Sequence, residues 1–311
     1  MWSHGFGLAN VERNERVDSE TIFHLASLTK PYAATVLLQL VDEGRVAPDG
    51  RVADLGIKPA DTAVRVWHLL SHTSAGKPGK AFSYDGRAFG QLTQVIESVG
   101  RRPFAAQLAD RIIHPLGLGH TAPNPREVPG VPPDEPGRLT FAASGLDRAF
   151  IERHLATGYA RSGGQFVSPA GLLGSMRPQD HATYLFASAG LVPSGEDVVR
   201  FRLPFDEGKL LKDSTRARAY TAVQTRTGAT LPYGLGWFVQ QYRGLRVVWH
   251  FGQSPESSSL IVKLPDQQVS FVVLANSEGL SRGRRLGDRA DVLSSPVAML
   301  FLNWYAAGRR L

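Results

Sequence analysis

The chain has no cysteine. Disulfides, thiolate nucleophiles and cysteine-based metal sites are excluded, and a cysteine-free chain tolerates either redox state, so the compartment stays open. Long apolar runs are missing too: nothing approaches the roughly 18 residues that span a bilayer. The opening "MWSHGFGLANVERNE" has neither the basic region nor the apolar core of a secretory leader. An exported protein whose leader has been removed would read the same way, so cytoplasmic and exported readings both stand. There is no acidic excess; the formal net charge is +7 over 311 residues. A basic balance can mark nucleic-acid or anionic-membrane binding. Here the positive charge is mostly arginine spread along the chain, and the densest run, Arg282 to Arg289 in "RGRRLGDR", is broken by Asp288. No aromatic-rich basic stripe offers base stacking, so nucleic acid is not expected as a partner.

Several catalytic signatures are absent as well. There is no Gly-x-Ser-x-Gly elbow and no His-Glu-x-x-His. His114 and His120 in "HPLGLGH" are spaced wrongly for one helical turn and read as structural. "GFGLAN" lacks the third glycine and the βα context of a dinucleotide fingerprint. No cofactor and no metal site is expected.

With 42% hydrophobic and 20% charged residues, the composition suits a globular domain with a sizeable core. Residues 5 to 12 read as a short strand entering a loop. From Ser27 to about Glu43 the apolar residues Ala34, Val36, Leu37, Leu40 and Val41 recur at helical spacing, with Gly44 as C-cap. Pro31 falls early enough in this helix not to break it. The region 55 to 210 is mixed and largely helical: residues 90 to 113 read as two short helices around "GRRP", and 122 to 137 as an extended Pro/Gly-rich surface loop. After "YGLGW" the character changes: "LRVVWHFG", "SSSLIVKL" and "QVSFVVLAN" are β-branched and apolar, with Pro265-Asp266 as a hairpin turn between the last two. "SPVAMLFLNWYAA" reads as a final helix. The fold class is therefore α/β (α+β): an antiparallel sheet flanked by helices, formed by both chain ends, with an inserted, mainly helical lobe. The approximate division is 1–54 plus 212–311 for the α/β lobe and 55–211 for the helical lobe.

Ser27-Leu28-Thr29-Lys30 places a serine and a lysine on one face near a helix start. A serine is a poor nucleophile until a base takes its proton, and a lysine of lowered pKa can serve. With 23 serines and seven lysines, about half an occurrence of Ser-x-x-Lys is expected by chance. A second copy, Ser74…Lys77, falls in a Gly/Pro loop that cannot hold the pair on a helical face. The bland reading of Ser27 is an N-cap beside a solvated lysine. Tyr84 in "KAFSYDGRAFGQL" is a further candidate: beside a lysine cation a phenol ionises more easily and can act as a base. Its bland reading is a core tyrosine. His250-Phe251-Gly252 ends a strand, where a glycine would let a ligand approach closely, or where the strand merely turns.

SLTK at 27 to 30, Tyr-x-x at 84 to 86 and His-x-Gly at 250 to 252, in this order, resemble the serine beta-lactamase and penicillin-recognising enzyme superfamily. The match is to the class C type, which includes family VIII esterases, D-alanyl carboxypeptidases and D-aminopeptidases. "LLSHTSAG", "HPLGL", "ATGYA", "SAGLVPSGEDVVRF" and "YGLGW" lie between and support it, so the resemblance covers nearly the whole chain. It implies that Ser27 is acylated, that Lys30 and Tyr84 share the proton transfers, and that the backbone N–H groups of Ser27 and Gln253 form an oxyanion hole. It places His250, with Gly252, where relatives carry a Lys-Thr-Gly triplet, in polar contact with substrate; "RTG" at 226 to 228 is a rival without a following strand. The implied substrate is a small ester, a lactam or a D-amino-acid peptide. Carboxylesterase-like chemistry is expected first, and a catalytically idle binder of peptide or peptidoglycan-like ligands is the alternative.

Three departures from the family pattern shape these expectations. Gly86 stands where an asparagine would contact Lys30 and a substrate amide, which favours esters over lactams; the neighbouring Asp85 should point elsewhere. Glu256 in "GQSPESSS" replaces a small residue and should either alter the pocket or face solvent. By the resemblance, about 25 to 40 residues that precede "GFGLAN" in relatives are lacking.

Overall fold

The computed structural model describes residues 2–125, 141–168, 185–225 and 227–308. The Pro/Gly-rich stretch lies outside the described residues from 126 onward, and so does Arg226 of the rival triplet.

Strands β1 (Leu8–Asn10) and β2 (Glu15–Arg16) pair as a small antiparallel ladder of their own. A 3-10 turn, Ala26–Thr29, then runs directly into α1 (Lys30–Asp42). Val36, Leu37, Leu38 and Leu40 of α1 are all fully buried, the mark of a helix wrapped on nearly every side by core. Each such side chain gains about 1.5–3 kcal/mol on leaving water. Pro31 lies in the first turn, where its missing N–H has no intrahelical partner to lose. Gly44 ends the helix at φ +74°, a conformation that favours glycine.

The helical middle of the chain contains α2 (Val66–Leu70), α3 (Gly86–Gly90), α4 (Leu92–Gly100) and α5 (Phe104–Leu108). Beyond it β3 (Thr121–Pro123), α6 (Arg148–His154), β4 (Ala160–Ser162) and β5 (Gln165–Val167) follow, β4 pairing with β5. Then come β6 (Leu191–Pro193), which pairs with β3, α7 (Gly195–Asp206) and α8 (Asp213–Ala219).

The main antiparallel sheet comes from β7 (Phe238–Tyr242), β8 (Leu245–Ser254), β9 (Ser257–Leu264) and β10 (Val269–Ala275), in the order β10-β9-β8-β7. Arg243 and Gly244 (φ +48° and +76°) make the β7–β8 turn, the positive-φ pair that matches strand twist. Alternation then sorts the faces. Val248 and Ile261 pack with α1, whereas Trp249, Phe251 and Val262 pack with Ala298 and Leu302 of the last helix. After α9 (Leu286–Arg289), that last helix is α10 (Pro296–Gly308). Among the described residues, the N-terminal stretch supplies no strand to this sheet. It supplies α1 on one face, and β1 is tied to the end of β10 by Asn276, whose Nδ2 donates to Leu8 O at 3.1 Å.

Candidate active site

Ser27 sits half-buried in the 3-10 turn, just after Ala26, which is held at φ +47°. A non-glycine residue there stores strain of the kind that gathers at functional turns. The turn is fastened on three sides. Thr29 Oγ1 donates to Ala26 O at 2.8 Å and accepts from Leu191 N at 3.1 Å, while Ser259 Oγ of β9 donates to Leu25 O at 2.7 Å. The helix N-cap position is Thr29, not Ser27, so the capping reading of Ser27 fails.

Lys30, the first residue of α1, is fully buried. Its Nζ donates to Ser27 Oγ at 2.8 Å and to Ser188 O at 3.1 Å, and lies over the rings of Tyr84 and Phe89 at 5.0 and 5.5 Å from their centroids. Burial pushes its pKa down to about 7, against a smaller upward pull from Asp85. Near neutral pH the amine is therefore substantially uncharged, and the contact that donates to Ser27 Oγ can instead accept its proton.

Tyr84 is present but in a different protonation state from the one expected. Its hydroxyl is buried and approaches Ser27 without completing a hydrogen bond of good geometry. Burial pushes the phenol well up from its usual value, and the nearness of Ser27 only partly offsets this. The idea that a neighbouring lysine makes Tyr84 a base is corrected: buried lysine and buried phenol are both driven to their neutral forms. Tyr84 therefore stands beside Ser27 as a neutral phenol.

His250 also departs from expectation. It is fully buried, Nε2 accepting from Tyr233 Oη at 2.9 Å and Nδ1 donating to Phe251 O at 2.8 Å. Burial, and secondarily Lys30, hold its pKa well below the usual histidine range. The ring is neutral and both of its nitrogens are engaged by protein partners. Gly252 is needed for close approach, but of the chain itself: a Cβ there would lie 1.8 Å from Leu25 O and 2.4 Å from Ser259 Oγ. Gln253 follows on the exposed end of β8, where the strand has run past its last partner in β7, the pair Phe238–Trp249.

The neighbouring departures also find places. Asp85 caps α3, its Oδ1 accepting from Arg87 N at 2.8 Å and Ala88 N at 3.1 Å. A Cβ at Gly86 would meet nothing within 4 Å, so the space of the absent asparagine is open. Glu256 is buried, its Cβ and carboxylate closing on Gly158, and it does not face solvent. The second Ser-x-x-Lys copy lies in a loop with Gly76 at φ +59° and Lys77 exposed, which separates it from any helical pairing. Among the described residues, no group of three or more His, Asp or Glu side chains is arranged to hold a metal ion. Nor is any described helix long and apolar enough to cross a membrane.

Three contributors lay in quoted fragments without being singled out: His72 in "LLSHTSAG", Ser188 in "SAGLVPSG" and Tyr233 in "YGLGW". A histidine between short polar residues after a helix was the one available signal among them.

A strained turn carrying Ser27, a buried Lys30 beside it, Tyr84 facing it and β8 alongside define a protein of the serine beta-lactamase and penicillin-binding class. The family model described as Beta-lactamase matches residues 1–294, and the chain belongs to that family. It is 22% identical over 318 residues to a penicillin-binding protein of Bacillus subtilis (strain 168), covering 89% of this chain and 66% of that one. To a D-aminopeptidase of Gluconobacter oxydans it is 23% identical over 308 residues, covering 88% and 53%. The chain thus spans less than two thirds of the length of these relatives. Among solved structures, the octameric penicillin-binding protein homologue from Pyrococcus abyssi superposes with a TM-score of 0.70 at 21% identity, covering 88% and 66%. The D-amino acid amidase from Ochrobactrum anthropi SV3, complexed with D-phenylalanine, superposes at 0.68 and 17%, covering 88% and 82%. These likenesses establish the fold.

Proposed function

We propose that this chain is a serine hydrolase that forms an acyl-enzyme on Ser27, acting first on small carboxylic esters and more weakly on lactams or D-amino-acid amides. The observation that carries the reading is the 2.8 Å contact between Ser27 Oγ and a fully buried Lys30 whose pKa lies at about 7. Ser27 Oγ attacks the acyl carbonyl while its proton passes to the neutral Lys30 amine. The carbonyl oxygen takes up the electron pair as an oxyanion, for which the backbone N–H groups of Ser27 and Gln253 are the proposed donors. The acyl–oxygen bond then breaks, and the leaving alkoxide takes its proton from the neutral Tyr84 phenol, which Lys30 re-protonates. Water, deprotonated by the neutral Lys30 amine, then attacks the acyl carbonyl; the bond to Ser27 Oγ breaks, the carboxylic acid leaves, and Ser27 Oγ takes back the proton from Lys30. His250 supports Tyr233 and the wall behind Tyr84 rather than touching substrate.

The ester preference rests on Gly86, which leaves an amide substrate without the side-chain partner an asparagine would give. Labelling with a fluorophosphonate tests the nucleophile: an adduct on the wild type that disappears in Ser27→Ala supports the reading. No adduct, or equal labelling of Ser27→Ala, leaves the idle binder in its place. Parallel rates on p-nitrophenyl butyrate and nitrocefin test the substrate class; faster nitrocefin hydrolysis overturns the ester preference.

A further inference from the structure

His72 is a buried titratable residue that the chemistry above does not use. It follows α2 with its backbone at φ +55°, a conformation uncommon outside glycine but one that asparagine, aspartate and histidine adopt more often than other side chains. Its side chain is 1% exposed. Three contacts aim it at one target. Its carbonyl accepts from Ser83 N at 2.8 Å. Its Nδ1 accepts from Asp85 N at 3.1 Å. Between those two tethers its ring lies against the Tyr84 ring, with centroids 4.4 Å apart. The residues before and after Tyr84 are thus both held by one histidine, which also packs against the Tyr84 ring. A ring whose Nδ1 accepts a hydrogen bond is neutral, with its proton on Nε2. Burial keeps it so, and Lys30 and His250 add to the effect.

We propose that His72 is the positioning residue for Tyr84: its Nδ1 and carbonyl clamp the chain on either side of the phenol and set the hydroxyl against Ser27. The inference rests on the hydrolase reading, because only there does the place of the Tyr84 hydroxyl control a rate. The hydroxyl stops short of a good hydrogen bond to Ser27. A shift of about 1 Å in a group so placed can cost on the order of a hundredfold in rate.

The test separates the Nδ1 acceptor from the bulk of the ring. His72→Asn keeps an acceptor at the Nδ1 position and suits the left-handed backbone; His72→Gln and His72→Phe remove that acceptor. Steady-state turnover of p-nitrophenyl butyrate is measured for each, with melting temperature as a control and Ser27→Ala alongside. The expected result is kcat lowered roughly ten- to a hundredfold in the Gln and Phe variants with KM changed less than about threefold, and His72→Asn recovering about tenfold of that loss. Either acceptor-deleting variant suffices if the other does not fold. Equal losses in all three variants, a loss carried by KM alone, or wild-type turnover in Gln or Phe overturns the clamp. Turnover that persists in Ser27→Ala, or none in the wild type, overturns the hydrolase reading instead.

Discussion

Lys30 and Tyr84 are driven by the same burial in opposite directions on the pH scale, and both end neutral. That pairing sets the direction of the pH dependence. The base is the deprotonated amine, so kcat/KM for an ester should rise about tenfold per unit below pH 7 and level off above the Lys30 value of about 7. The phenol must stay protonated, and its raised pKa means that no loss follows until strongly alkaline pH. An optimum near pH 4 in a rate profile from pH 4 to 10 would contradict this assignment. Lys30→Met should lower kcat by roughly a hundred- to ten-thousandfold. At residue 86 the change is a gain: Gly86→Asn places an amide in open space beside the site. One added hydrogen bond to a substrate amide is worth about 0.5–1.5 kcal/mol, roughly two- to tenfold. The ratio of nitrocefin to p-nitrophenyl butyrate turnover should rise by that factor, and an unchanged ratio would show that position 86 does not touch the chemistry.

The element that sets the site is the seam between the Ala26–Thr29 turn and strands β8 and β9. Gly252 lets that seam close: its missing Cβ would sit 1.8 Å from a backbone oxygen, which cannot swing aside as a flexible side chain could. Gly252→Ala should therefore part the turn from β8, destabilising by about 1–3 kcal/mol, lowering Tm by several degrees and slowing fluorophosphonate labelling of Ser27. Unchanged Tm and labelling would mean that the seam is slack. Gly86 and Gly252 show why the sequence was only partly readable here. Both are glycines inside motif fragments, yet one borders open space and the other backbone. Strands β8, β9 and β10 were legible because β-branched runs sat between turn residues, and α1 because its apolar spacing was helical. Strand β7 was missed, since "FVQQY" is half polar; the Arg243-Gly244 turn was its signal. Ser27 and Lys30 were readable only from their spacing at a helix start taken together with Tyr84 and His250 in the family's order, since the spacing recurs at Ser74 and Lys77. The inward turn of His250 and the neutral state of Tyr84 were not, because both follow from burial by residues distant in the chain.

On the scale of the whole molecule, the same driving of buried groups to neutrality shapes stability. Lys263 of β9 is fully buried against Trp237, Tyr220 and Phe205, with Nζ 4.5 Å from the Trp237 centroid and 2.7 Å from Asp206 Oδ1. Burial lowers its pKa to about 8, with Asp206 pulling the other way. In the unfolded chain both Lys263 and Lys30 hold their protons up to about 10.4. Between about pH 7 and 10 the unfolded state therefore binds more protons than the native state, and stability must rise with pH across that window. Lys263 alone contributes on the order of 3 kcal/mol to the rise. Above pH 10 the sign reverses: Tyr32, Tyr84, Tyr220 and Tyr233 all have raised pKa values, so they ionise first in the unfolded chain and stability falls. Urea midpoints should therefore increase from pH 7 to 9.5 and decrease by pH 11. Lys263→Met isolates one term, because Asp206 keeps Arg202 at 2.8 Å and the Tyr220 hydroxyl at 2.7 Å. Exchanging a buried charge for an apolar side chain of similar length should leave stability at pH 7 equal or higher and remove the part of the rise between pH 8 and 10. A variant that is several kcal/mol less stable at pH 7, or that keeps the full rise, would show that the Lys263–Asp206 pair holds α7 to the sheet by more than it costs to bury.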